Sequence, residues 1–117
     1  MNIDISTASR AKDVAKEMAM AARTFLDALD EVQRAQATFP FQGTERYEWH
    51  YTPVARNGLR LKDMNQGQRE AAHRLLATAL SVRSAREAEA IIALEVTLNE
   101  WEHMQNETMH WVRDPDL

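Results

Sequence analysis

Thr38-Phe39-Pro40 ends a helical repeat of apolar residues, and from there to Met64 the sequence FPFQGTERYEWHYTPVARNGLRLKDM follows no helical pattern. A proline disfavours helix in the residue before it, so the chain must leave its first helix here. This connector holds two of the three prolines and two of the three glycines, with Phe39, Phe41, Tyr47, Trp49 and Tyr51 gathered among Arg46, His50, Arg56 and Arg60. A structureless loop of that length is uncommon in a compact domain, and connecting segments often carry function. Any fold for this chain is therefore helix, aromatic connector, then more helix.

The flanks read as amphipathic helices. Met18, Ala22, Phe25, Leu29 and Val32 recur at spacings of four, three, four and three, which predicts one long helix over residues 6–38. Burying Phe25 and Leu29 against a partner contributes roughly 3–6 kcal/mol before entropy. Within the connector (39–64), the alternation around Tyr47–Tyr51 allows a short strand, and Asn57-Gly58 allows a turn into Leu59–Leu61 as its return. Trp49, Tyr51, Leu59 and Leu61 are expected to pack down, with Met64 closing the connector. Asn65 with Gln68 matches a capping box and opens a helix over 65–81, whose apolar face is Ala72, Leu75, Leu76, Ala79 and Leu80. Ser84 with Glu87 matches another, opening a helix over 84–106 with a buried stripe of Ile91, Leu94, Leu98 and Trp101. The short link between these two makes them antiparallel neighbours. The fold class is all-α, a single helical segment.

Composition narrows the function classes. The chain has 117 residues, 44% of them hydrophobic and 27% charged, with a net charge of −4. A mean hydropathy of −0.53 and the lack of a long apolar run argue against a membrane partner. The absence of a basic block argues against nucleic acid. The first residues, MNIDISTASRAKDVAKE, carry no apolar signal-peptide core, so a cytoplasmic location is expected. With no cysteine, Gly-rich phosphate loop or nucleophile elbow, thiol catalysis and P-loop chemistry are excluded.

The first candidate site is Arg46, Trp49, His50, Tyr51 and Arg56. In a strand, Trp49 and Tyr51 point to one face and His50 to the other, while two guanidiniums nearby suit a small anionic ligand. The same residues also make sense structurally, the arginines pairing with Glu45, Glu48 or Asp63 and the aromatics forming core. His103, Glu107 and His110 share a helix face and resemble a metal set. They lack a fourth ligand and match no strong metal signature, so they read as a solvated helix end and no metal site is assigned. Glu95, Asn99 and Glu102 flank the predicted stripe of the last helix. Glu95 suits either acid–base chemistry or an ion pair with Arg46 or Arg56. His73 beside Leu76 reads as a packing residue. No cofactor is implied by any of these sets, and the near-heptad stripe Met18–Val32 allows self-association through the first helix.

The segments ERYEWHYTPVARNGLRLKDM, QREAAHRLLATALS, IIALEVTLNE and RDPDL, in this order and spacing, resemble a family of bacterial and eukaryotic proteins known as domain of unknown function 3500. The resemblance covers about Thr44 to Leu117. Its members are much longer, resuming after the RDP segment with a tyrosine- and phenylalanine-containing stretch, a tryptophan-rich segment and a Gly-His-His element. The resemblance implies an α+β fold for those longer relatives and no established activity. It makes this chain the N-terminal helical portion, holding at most half of any site that the Gly-His-His element completes. Met109, Trp111 and Val112, lying beyond the last good helical turn, fit a chain truncated before further packing.

Overall fold

The computed structural model describes residues 5–52 and 54–104, and within them the protein is all-helical. The helices are α1 (Ile5–Asp27), α2 (Glu31–Ala37), α3 (Gln66–Ala79) and α4 (Val82–Met104). Single 3₁₀ turns at Glu45–Tyr47 and Leu61–Asp63 punctuate the connector between α2 and α3.

The single first helix predicted over 6–38 is broken in two. Asp30 starts α2 with a capping box: the Gln33 amide donates to Asp30 Oδ1 at 2.8 Å, and the Asp30 amide donates to Gln33 Oε1 at 3.1 Å. Ending α1 leaves backbone carbonyls without helical donors. Arg34 supplies them, its Nε and Nη2 donating to Leu26 O at 3.1 and 3.0 Å and Nη2 also reaching Leu29 O at 3.3 Å. The break seats Leu29 at 4% exposure but turns Val32 out to 69%, so the predicted stripe does not reach Val32. Phe25 and Ala22 stay half-buried on the side of α1 that meets α3.

Helix α3 starts where predicted. The Gln68 amide donates to Asn65 Oδ1, and the Asn65 amide to Gln68 Oε1, both at 2.9 Å. Its covered face is centred differently from the predicted one: Gln68 and Ala71 are buried, and Ala72, Leu75 and Thr78 half-buried, while Leu76 and Leu80, 38% and 36% exposed, lie at its margin and Ala79 faces solvent. The cause is polar. Gln68 Nε2 donates to Ala28 O at 2.8 Å, which aims the first turn of α3 at the α1–α2 joint and fixes the phase of the helix. Arg69 Nε, donating to Leu61 O at 3.0 Å and Met64 O at 3.2 Å, ties the end of the connector to the same turn.

Helix α4 begins one turn earlier than the Ser84/Glu87 box predicts. Ser81 is the cap, its Oγ accepting from the Ser84 amide at 3.1 Å, and Glu87 instead pairs with Arg83 at 2.9 Å. The predicted buried stripe is also overturned, since Ile91, Leu94, Leu98 and Trp101 are all exposed. The covered side is Ala85, Ala88, Ile92, Glu95, Asn99 and Glu102, about a third of a turn away at 100° per residue. A two-residue link, Leu80 and Ser81, joins α3 to α4, and Ala85 and Ala88 are half-buried while the Ile91 stripe is not.

Among the described residues only Leu29, Met64 and Ala71 are apolar and buried. The radius of gyration, 17.5 Å, exceeds the value of about 13 Å for a compact domain of this length. Tertiary order therefore leans on capped helix ends around one small cluster rather than on a large core.

Candidate functional site: the connector concavity

The connector is built by a series of local closures. Pro40 to Gly43 is a tight turn, the Gly43 amide donating to Pro40 O at 2.9 Å. A Cβ at position 43 would lie 3.0 Å from that same oxygen, so the turn would have to give by a few tenths of an ångström to admit one. Phe41 and Tyr47 then flank Arg46, whose guanidinium carbon lies 4.5 and 4.7 Å from their ring centroids. Beyond it, the Arg56 guanidinium gathers three carbonyls of its own loop, donating to His50 O at 2.7 Å, Thr52 O at 3.0 Å and Val54 O at 3.4 Å. Gly58 takes φ of +127°, which lets Asn57 turn back and donate from Nδ2 to Glu45 Oε2 at 3.1 Å.

The short strand and hairpin allowed by the sequence do not form; no strand occurs among the described residues. Strand pairing would need the carbonyls of His50, Thr52 and Val54 to face a neighbouring strand, and Arg56 occupies them instead. Trp49 and Tyr51 do lie on one side, with ring centroids 6.0 Å apart at 44°. Neither is core: they are 78% and 85% exposed, against the expectation that they pack down. Leu59 and Leu61 are half-buried and Met64 is buried, so the connector is anchored at its C-terminal end.

Trp49, His50 and Arg56 converge on a concavity of about 540 Å³, together with Glu45, Glu48 and Asn57. Arg46 and Tyr51, the other two predicted site residues, stand outside its wall. The glutamates are lining groups that sequence reasoning treated only as ion-pair partners for arginine. They bond elsewhere: Glu45 to Asn57, and Glu48 Oε2 to His50 Nε2 at 3.5 Å. Asp63, the remaining expected partner, pairs with Arg60 at 2.8 Å. The spacing of Glu45 and Glu48, three residues apart across a helical turn, was the available signal for their shared face.

A second hollow of about 420 Å³ lies between α3 and α4, where Glu70, His73, Arg74 and Glu89 meet. Its polar groups face one another, His73 Nδ1 standing 3.9 Å from Glu89 Oε1 and Arg74 Nη2 3.7 Å from Glu70 Oε2. Glu95 is half-buried and Glu102 buried, and both have interaction partners, as does Asn99. Glu107, His110 and the side chain of His103 lie outside the described residues. Among those described, no three His, Asp or Glu side chains are grouped to hold a metal ion, and no helix is long and apolar enough to cross a membrane.

A family model described as protein of unknown function (DUF3500) matches residues 11–113, which extends the likeness upstream through most of α1. No curated protein and no solved structure matches the chain.

Proposed function

The chain belongs to the DUF3500 family, and we propose that it serves there as a non-catalytic helical scaffold whose α4 is covered by a further polypeptide surface. One observation carries this reading. Ile91, Leu94, Leu98 and Trp101 are spaced three, four and three residues apart on the solvent side of α4. That is the spacing of a helix-packing seam, and a contiguous exposed seam of large apolar side chains marks a place where another polypeptide docks. The slight core is consistent with it, since stability then comes partly from the surface that covers α4.

The test is the double substitution of Leu94→Asp and Leu98→Asp, followed by thermal melting and binding of a hydrophobic-surface dye. On this reading dye fluorescence falls while the cooperative transition is kept with at most a modest shift of its midpoint, because Leu94 is 54% exposed and Leu98 39%. Loss of the cooperative transition would show that α4 is buried within the chain, and the scaffold reading would fail.

A second reading has its own support in the convergence of Trp49, His50 and Arg56 on one concavity. The connector would then form one wall of a ligand site in an enzyme. His50, with Arg46 and Arg56, would share the metal or anion with histidines of the Gly-His-His element that the family resemblance implies. Titrating zinc, iron(II) and phosphate while following near-UV circular dichroism tests it through Trp49 and Tyr51.

A further inference from the structure

The connector already holds guanidinium groups in two ways, Arg46 against the rings of Phe41 and Tyr47 and Arg56 within three carbonyls. We propose that the concavity between Glu45, Glu48 and Trp49 binds an organic cation, a guanidinium or alkylammonium group. This rests on the reading of the connector as a ligand wall and names the ligand class.

Three features of the wall favour a cation over an anion. The Arg56 Nη donors point into the loop carbonyls, so the bidentate fork an anion would need is already engaged. A carboxylate accepts about four hydrogen bonds, and Asn57 and His50 call on one oxygen each of Glu45 and Glu48, leaving acceptor capacity at both. An anion would meet those two carboxylates unfavourably. The Trp49 ring, mostly exposed on the same wall, adds a face attractive to a cation.

The remaining charge on Arg56 opposes a second cation. Its three carbonyl partners direct their negative ends at it and offset part of that repulsion. Size also fits, because a hollow of about 540 Å³ exceeds what an inorganic ion fills and accommodates an alkylguanidinium.

The experiment is calorimetric titration of the whole chain at low ionic strength. The probes are ethylguanidinium, tetramethylammonium, the capped peptide acetyl-Gly-Arg-Gly-amide and inorganic phosphate. Saturable binding of a cationic probe is expected, weakened about three-fold or more by Glu48→Gln and by Trp49→Leu. Both side chains are exposed, so the variants are expected to keep the wild-type melting curve, which serves as the folding control. Binding of the small cations assigns a free ligand; binding of the arginine peptide alone assigns a side chain of a partner polypeptide. Phosphate binding without cation binding overturns the ligand class and leaves the ligand wall standing. No binding by any probe, or cation binding that both variants leave unchanged, overturns the class and the wall together.

Discussion

Gln33 and Gln68 hydrogen-bond to each other in both directions, Nε2 to Oε1 at 3.2 Å one way and 2.9 Å the other. Each is the third helical residue of its own capping box, so two helix N-termini are joined through their caps. Each oxygen must face the backbone amide of its own cap, Asp30 or Asn65, which leaves each NH₂ group with two hydrogens to place. One hydrogen of each goes to the opposite glutamine, and the others to Asp63 O at 3.0 Å and Ala28 O at 2.8 Å. Every donor and acceptor of the pair is satisfied, which makes it the polar centre of the fold.

Gln68→Leu leaves the Asn65 amide and the Ala28 carbonyl without their partner at a part-buried site and is expected to cost about 1–2 kcal/mol. Urea denaturation reads this as a lower midpoint at unchanged slope. Gln33→Ala costs less, its side chain being half-exposed. A double-mutant cycle on the two positions should return a coupling of at least about 0.5 kcal/mol. Strict additivity would mean that the two amides do not bond in solution.

Leu29→Ala and Val32→Ala separate the broken helix from a continuous one. In the structure Leu29 is buried and Val32 exposed, so the first substitution is expected to cost about 2–3 kcal/mol and the second less than about 0.5. A continuous amphipathic helix would bury both, and the two costs would then be comparable.

These helices show what can be read from the sequence and what cannot. The Asn65/Gln68 box is legible because nothing in the local pattern competes with it. The Asp30/Gln33 box has the same chemistry, but the repeat Met18 to Val32 runs through it and argues for continuity. The cap prevails because Arg34 and Gln68 supply donors to the carbonyls that the break exposes, and Gln68 is distant in sequence. In α4 the apolar stripe is plain, yet the assumption that apolar means inward fails for Ile91, Leu94, Leu98 and Trp101. The connector announces itself by composition, and three of its five candidate residues, Trp49, His50 and Arg56, line one hollow. What spacing does not reveal is that Arg56 turns onto its own loop, because that depends on the path the backbone takes.

Arg56→Lys tests that loop closure. One ammonium cannot reproduce a planar fork spread over three carbonyls, so the connector should loosen. The near-UV circular dichroism from Trp49 and Tyr51 is expected to weaken, and limited proteolysis between residues 48 and 57 to quicken several-fold. Because the loop is exposed, helical melting should move by less than about 0.5 kcal/mol. Unchanged proteolysis would show that Arg56 does not hold the loop.

Gly58→Ala isolates a backbone effect. At φ of +127° an L-residue is strained, and no atom lies within 4 Å of where the new Cβ would stand, so conformation alone sets the cost, about 1–2 kcal/mol. The strain falls on the turn that carries Asn57 to Glu45, and Leu59 and Leu61 beyond it tie the connector to the buried Met64. Replacing Gly58 by D-alanine through semisynthesis provides the control, because a D-residue adopts positive φ freely. The D-variant should match or slightly exceed wild-type stability, as a methyl group also restricts the unfolded chain. The L-variant should fall below both in urea denaturation. Equal stability of the two epimers would mean that the turn relaxes to negative φ, and Asn57 would then no longer reach Glu45.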